Sequence, residues 1–148
     1  MSIKKDPKLT VKCTSIPVAP KPLGHWDLQE FLNCCKSELS KIYVRREAQK
    51  DANKFYGYTS DQEICDVLTG EEFETSKKFK NTRPLEKKIG PAAEGTLTDA
   101  YTFFNVNENH IYLAFLKVNS MWVIKSFHPC EDDDFYNEYA LWLTRGRM

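Results

Sequence analysis

The chain has 148 residues, 41% of them hydrophobic and 13% aromatic, with 21 Lys and Arg against 21 Asp and Glu. That length and apolar content exclude a wholly disordered chain and suffice for one domain with its own core, while the charge balance gives no overall bias toward nucleic acid and leaves room for two opposed faces. The five cysteines (Cys13, Cys34, Cys35, Cys65, Cys130) are odd in number, two are adjacent and none forms C-x-x-C, a pattern of reduced structural thiols in a cytoplasmic protein without a zinc site.

The N-terminus carries Lys4, Lys5, Asp6 and Lys8 and has no apolar run, so no signal peptide is expected, and no stretch approaches the length of a membrane span. Residues 1–24 hold four of the seven prolines and read as an extended arm ahead of a single domain over 25–148. Asp27 is a helix N-cap with Glu30 in a capping box and Trp26 stapled on Phe31. Leu28, Phe31, Leu32, Cys35, Leu39 and Ile42 then follow at helical spacing. The polar stretch from Val44 to Tyr56 reads as a second, more exposed helix, ended by Gly57. Ser60 and Glu63 open a short helix with Ile64, Val67 and Leu68 on its apolar side, and Gly70 stops it. Residues 71–90 are highly polar and 90–96 form a loop.

From Asp99 the period changes to two. Residues 99–106, 110–118 and 121–128 are strands, and their short connections allow only antiparallel hairpins. The middle strand is apolar on both faces, which makes it central and covered by helices on one side. After Pro129, the acids Glu131–Asp134 precede Phe135, Tyr136, Tyr139, Trp142 and Leu143, and Arg145 follows, which suits a terminal amphipathic helix docked on the domain. The fold class is therefore α+β: N-terminal helices packed on a three- to four-stranded antiparallel sheet, with a C-terminal helix.

The chain lacks a phosphate-binding G-x-x-x-x-G-K-[ST] loop, a G-x-S-x-G elbow and an H-E-x-x-H pair. What stands out is His128 at the end of the last strand, either an idle strand end or an imidazole held at the sheet rim. Register decides between them. A two-residue turn at Asn119-Ser120 pairs Val118 with Met121 and sets Tyr112 against Phe127. A three-residue loop over 119–121 instead pairs Val118 with Trp122 and Tyr112 with His128, placing Tyr112, Ser126 and His128 on one face and Lys125 and Phe127 on the other. Lys77, Lys78, Lys80 and Arg83 form a basic patch that either holds phosphates or is a solvated loop. Tyr101 and Trp122 either stack on bases or pack in the core. Cys34-Cys35 reads as helix packing.

The stretches Gly57-Tyr58, EICDVLTGEEFETS, Asp99-Ala100-Tyr101, IYLAF and WVIKSFH come in an order that resembles the MqsR toxins, a group of RelE-like mRNA interferases, over about residues 45–128. The resemblance implies a RelE/barnase-like fold and a metal-independent endoribonuclease needing no cofactor, in which a ribose 2′-hydroxyl attacks the adjacent phosphate. It places Tyr112 on the family's strand tyrosine and His128 where the family has a strand-end lysine. Thr75 stands where the family has a lysine, with Lys77 or Lys78 one turn away, Thr98 replaces a glutamine, and Lys125 replaces an apolar residue. His128, Tyr112 and Lys77 would be catalytic, and Lys78, Lys80, Arg83, Lys125, Tyr101 and Ser126 would bind RNA. RNA, free or on the ribosome, and a cognate antitoxin protein are the implied partners. The alternative is a binding module of the same fold without catalysis, an immunity or inhibitor protein, which the neutral charge and the acidic run Glu131–Asp134 favour.

Overall fold

The computed structural model describes residues 23–130; the arm up to Pro22 and the helix expected after Pro129, apart from Cys130, lie outside the described residues. The architecture is α+β. Four helices, α1 (Leu28–Ser37), α2 (Arg46–Tyr56), α3 (Asp61–Leu68) and α4 (Glu71–Ser76), pack with a five-stranded sheet of order β1-β5-β4-β3-β2. The strands are β1 (Ile42–Val44), β2 (Lys78–Pro84), β3 (Leu97–Phe104), β4 (His110–Val118) and β5 (Met121–Pro129). The sheet is mixed, not three- to four-stranded and antiparallel, because β1 runs parallel to β5.

The additional strand comes from the end of the expected first helix. Asp27 caps α1 as its sequence suggests, accepting from the Gln29 and Glu30 amides, but the helix stops at Ser37 and a 3-10 turn spans Leu39–Lys41. Ile42 and Val44 pair along β5 and are buried in the core. Helical spacing carried past Ser37, but β-branched residues beside an open sheet edge gain both ladder hydrogen bonds and burial there. α2 then presents Ala48 and Ala52 to the core, small side chains that suit a close approach to β5. It ends at Gly57, whose φ of 78° is the left-handed conformation that glycine adopts without strain. In α3 the Ser60 hydroxyl accepts from the Glu63 amide and Glu63 reaches back to Thr59, one residue before the cap. The other polar segment is also more ordered than its composition suggests: β2 pairs antiparallel with β3 along the far edge.

The core lies between helices and sheet. Phe31 stacks on Phe115 with ring centroids 4.2 Å apart, and Tyr101, Phe103, Leu113, Trp122 and Phe127 complete the layer. Asp99, fully buried, ties the chain entering α1 to this layer, accepting from the His25 amide (3.0 Å), the Trp26 amide (2.7 Å) and the Thr82 hydroxyl (2.6 Å). A Cβ on Gly24 would run into that carboxylate. Cys34, Cys35 and Cys65 are buried free thiols. Among the described residues no helix is long and apolar enough to cross a membrane.

Candidate functional site: the open face of the sheet

Because side chains alternate along a strand, one face of the sheet meets the helices and the other does not. Pairing registers arrange the second face in rows. One row runs Lys78, Thr102, Tyr112, His128; the next runs Asn81, Ala100, Ala114, Ser126; Arg83 stands beside Thr98 beyond it. The middle row has two alanines at its centre, so it is low, and the flanking rows stand higher. The resulting groove of about 330 Å³ is lined by Tyr112, Ala100, Ala114 and Thr98, by the cations Arg45, Arg83, Lys87 and Lys125, and by Glu86.

The rim pair arises in a way neither simple register anticipates. Val118 pairs with Met121, so the turn holds two residues, and Tyr112 nevertheless pairs with His128. The extra residue is Lys125, which bulges between Ile124 opposite Phe115 and Ser126 opposite Ala114. A bulge sets two residues against one and re-aims the strand beyond it. It puts Phe127 into the core and His128 opposite Tyr112, and it brings Lys125 to the groove wall, on the same face as Tyr112. A second bulge in β2 falls at Lys80. β5 and β2 thus each bulge at a lysine beside the low row.

The Tyr112 and His128 rings stack, with centroids 5.0 Å apart and planes 12° apart. His128 Nδ1 lies 2.9 Å from the Pro129 carbonyl oxygen. A carbonyl can only accept, so Nδ1 carries the proton and the neutral ring keeps its Nε2 lone pair for another partner. Burial pushes the Tyr112 phenol above its ordinary value, opposed by the positive charges of Arg83 and Lys80. It therefore stays protonated at neutral pH and can donate. Burial, reinforced by Arg45 and opposed by Glu86, holds the Lys125 ammonium below the usual lysine range. Arg45 is set in place because its amide donates to the Ile124 carbonyl at 3.0 Å, prolonging the β1–β5 ladder by one residue.

No protein family, curated protein or solved structure matches this chain. The groove is accordingly assessed from its own chemistry. A stacked phenol and imidazole beside four cations can exchange protons with a bound anion and hold a phosphate.

The expected site residues divide. Tyr112, Ser126, His128, Lys125, Lys78 and Arg83 share the open face, and Lys80 acts on Tyr112 electrostatically. Tyr101 does not belong with them: it is 3% exposed on the helix side, stacked on Phe115 and edge-on to Phe79, so it offers no base-stacking surface. Trp122 is likewise core. Lys77 lies at the α4–β2 junction, its ammonium 3.0 Å from a Glu74 carboxylate oxygen, and does not line the groove. Thr75 bonds to the Glu71 carbonyl within α4, and Ser76 accepts from the Phe104 amide at 2.8 Å, a joint between helix and sheet. Sequence reading missed Arg45, Asn81, Glu86 and Lys87. For Arg45 a signal existed in Ile42-Tyr43-Val44, a β-branched alternation just before it.

Proposed function

We propose that the protein is a metal-independent endoribonuclease of the toxin type, a five-stranded variant of the RelE-like fold with MqsR-like placement of its rim residues. The observation that carries this reading is the Tyr112–His128 pair beside a cation-lined groove. With Nδ1 committed to the Pro129 carbonyl, His128 Nε2 is the base that removes the proton of the ribose 2′-hydroxyl. The 2′-oxygen attacks the adjacent phosphorus and the bond from phosphorus to the 5′-oxygen breaks. The Tyr112 phenol gives its proton to that leaving oxygen. The products are a 2′,3′-cyclic phosphate and a 5′-hydroxyl, and proton return from His128 to Tyr112 through solvent resets the pair. Lys80 and Lys125 stabilise the charge that develops on the phosphoryl oxygens. The proton transfers need only side chains. The expected partners are RNA, free or on the ribosome, and an antitoxin protein that covers the basic groove.

The test is incubation of the purified protein with mixed-sequence RNA in excess EDTA, with and without ribosomes, beside His128→Ala and Tyr112→Phe. Cleavage leaving 2′,3′-cyclic ends, reduced by about 100-fold or more in each variant, is the expected result. Intact RNA under both conditions sinks the nuclease. It would move the assignment to a binding module, a reading favoured by the balanced charge and by exposed Phe55 and Val106 on the same molecule.

A further inference from the structure

The groove is not open at both ends. Beyond the alanine row, Leu85 and Ala92 pack on Leu116 and Val123, with Ile89 against them, and close the face. A strand of RNA lying across Tyr112 and His128 cannot continue along the sheet past this wall. A single base turned out of the strand can enter and stop there, as in enzymes that extrude one nucleotide into a snug pocket.

The groups at this closed end are unusual for a phosphate site. Glu86 is the one carboxylate among the groove's cations, close enough to Lys125 to support its charge. Thr98 stands beside Arg83 across the β2–β3 ladder and is 7% exposed, and its hydroxyl has no hydrogen-bond partner among the described residues. A buried hydroxyl without a partner is costly, and rotation between staggered positions at Cβ turns it to the groove it lines. A phosphate would be repelled by Glu86. A nucleobase edge that carries both donors and acceptors would use all of these groups.

We infer that the closed end of the groove is a base-reading subsite for an unpaired guanine. Guanine has two adjacent donors, N1–H and the N2 amino group, which match both oxygens of Glu86. Its O6 and N7 acceptors suit Arg83 and the Thr98 hydroxyl. Adenine and cytosine each offer one amino group, and uracil one imino N–H. Ile89 supplies an apolar surface for the base. This inference deepens the ribonuclease reading, since it names the base held beside the scissile phosphate, but its binding test does not depend on cleavage.

The experiment titrates the full chain with the 3′-monophosphates of guanosine, adenosine, cytidine and uridine. Guanosine 3′-monophosphate should bind about tenfold or more tightly than the other three. Glu86→Gln should bring the four affinities to within about twofold or threefold, and the isosteric Thr98→Val should weaken guanosine 3′-monophosphate selectively. Equal affinities in the natural chain, no binding of any of the four, or a guanine preference that survives Glu86→Gln would each overturn the subsite. Guanine preference with RNA left intact would retain the subsite and remove the nuclease; cleavage without guanine preference would do the reverse.

Discussion

Phe127 and His128 are neighbours in sequence and opposites in role. Phe127 is fully buried among Phe103, Tyr56 and Tyr58 on the helix side of the sheet, while half-buried His128 stacks on Tyr112 on the other side. The helix side is a closed set of apolar contacts that answers for stability. The other side carries the smaller Leu85–Ala92–Leu116–Val123 cluster at one end and, beside it, the alanines, hydroxyls and charges of the proposed site. One strand serves both because its side chains alternate and its bulge sets the phase.

Truncation on each side of the strand should give opposite results. Phe127→Ala should cost about 3–5 kcal/mol in denaturant unfolding. His128→Ala should cost under about 1 kcal/mol and remove cleavage. Comparable losses in the two variants would mean that the open face is structural after all. Asp99→Asn comes next, with an expected loss of about 1.5–3 kcal/mol, because an amide donor would then face backbone N–H donors that the carboxylate now accepts.

Deletion of Lys125 tests what sets the phase of the strand. Removing a residue from mid-strand ordinarily flips every later side chain to the other face. Here it would remove the bulge and leave Ser126 opposite Ala114 and His128 opposite Tyr112. The deletion should therefore cost about 1 kcal/mol or less while weakening phosphate binding. Unfolding of that variant, or loss of the Tyr112–His128 contact in its NMR spectra, would refute the assigned role of the bulge.

A subtler difference separates two phenols, buried Tyr101 on the helix side and half-buried Tyr112 on the other. Tyr101, on the helix side, is pushed up to about 12 by burial and by the carboxylates of Asp99 and Asp27, whereas Arg83 and Lys80 counter the rise at Tyr112. In an alkaline titration followed by ultraviolet absorbance with single Tyr→Phe variants, Tyr112 should ionise before Tyr101. Tyr101 is protonated in the folded chain at pH values where the unfolded chain has already lost the proton. Its stabilisation is therefore complete below about pH 10 and is lost as pH rises toward 12. Tyr101→Phe should flatten that decline.

Much of this fold is legible without coordinates where local chemistry acts alone. Asp27 and Ser60 announce helix starts through side chains that satisfy free amides, Gly57 announces a stop, and alternation from Asp99 onward announces the hairpins. Tyr112 and His128 are also identifiable as a pair, conditional on register. Helix caps, strand alternation and the residue types available for proton transfer can be read from local sequence, because each depends on neighbours within a few positions. Packing of the whole chain is what takes Ile42–Val44 from its helix into the sheet, makes Lys125 the bulge, puts Tyr101 in the core, and brings Arg45, Thr98 and Glu86 together beside Tyr112. Those outcomes depend on competition for burial and ladder hydrogen bonds between segments far apart in the chain, and local periodicity carries no record of that competition.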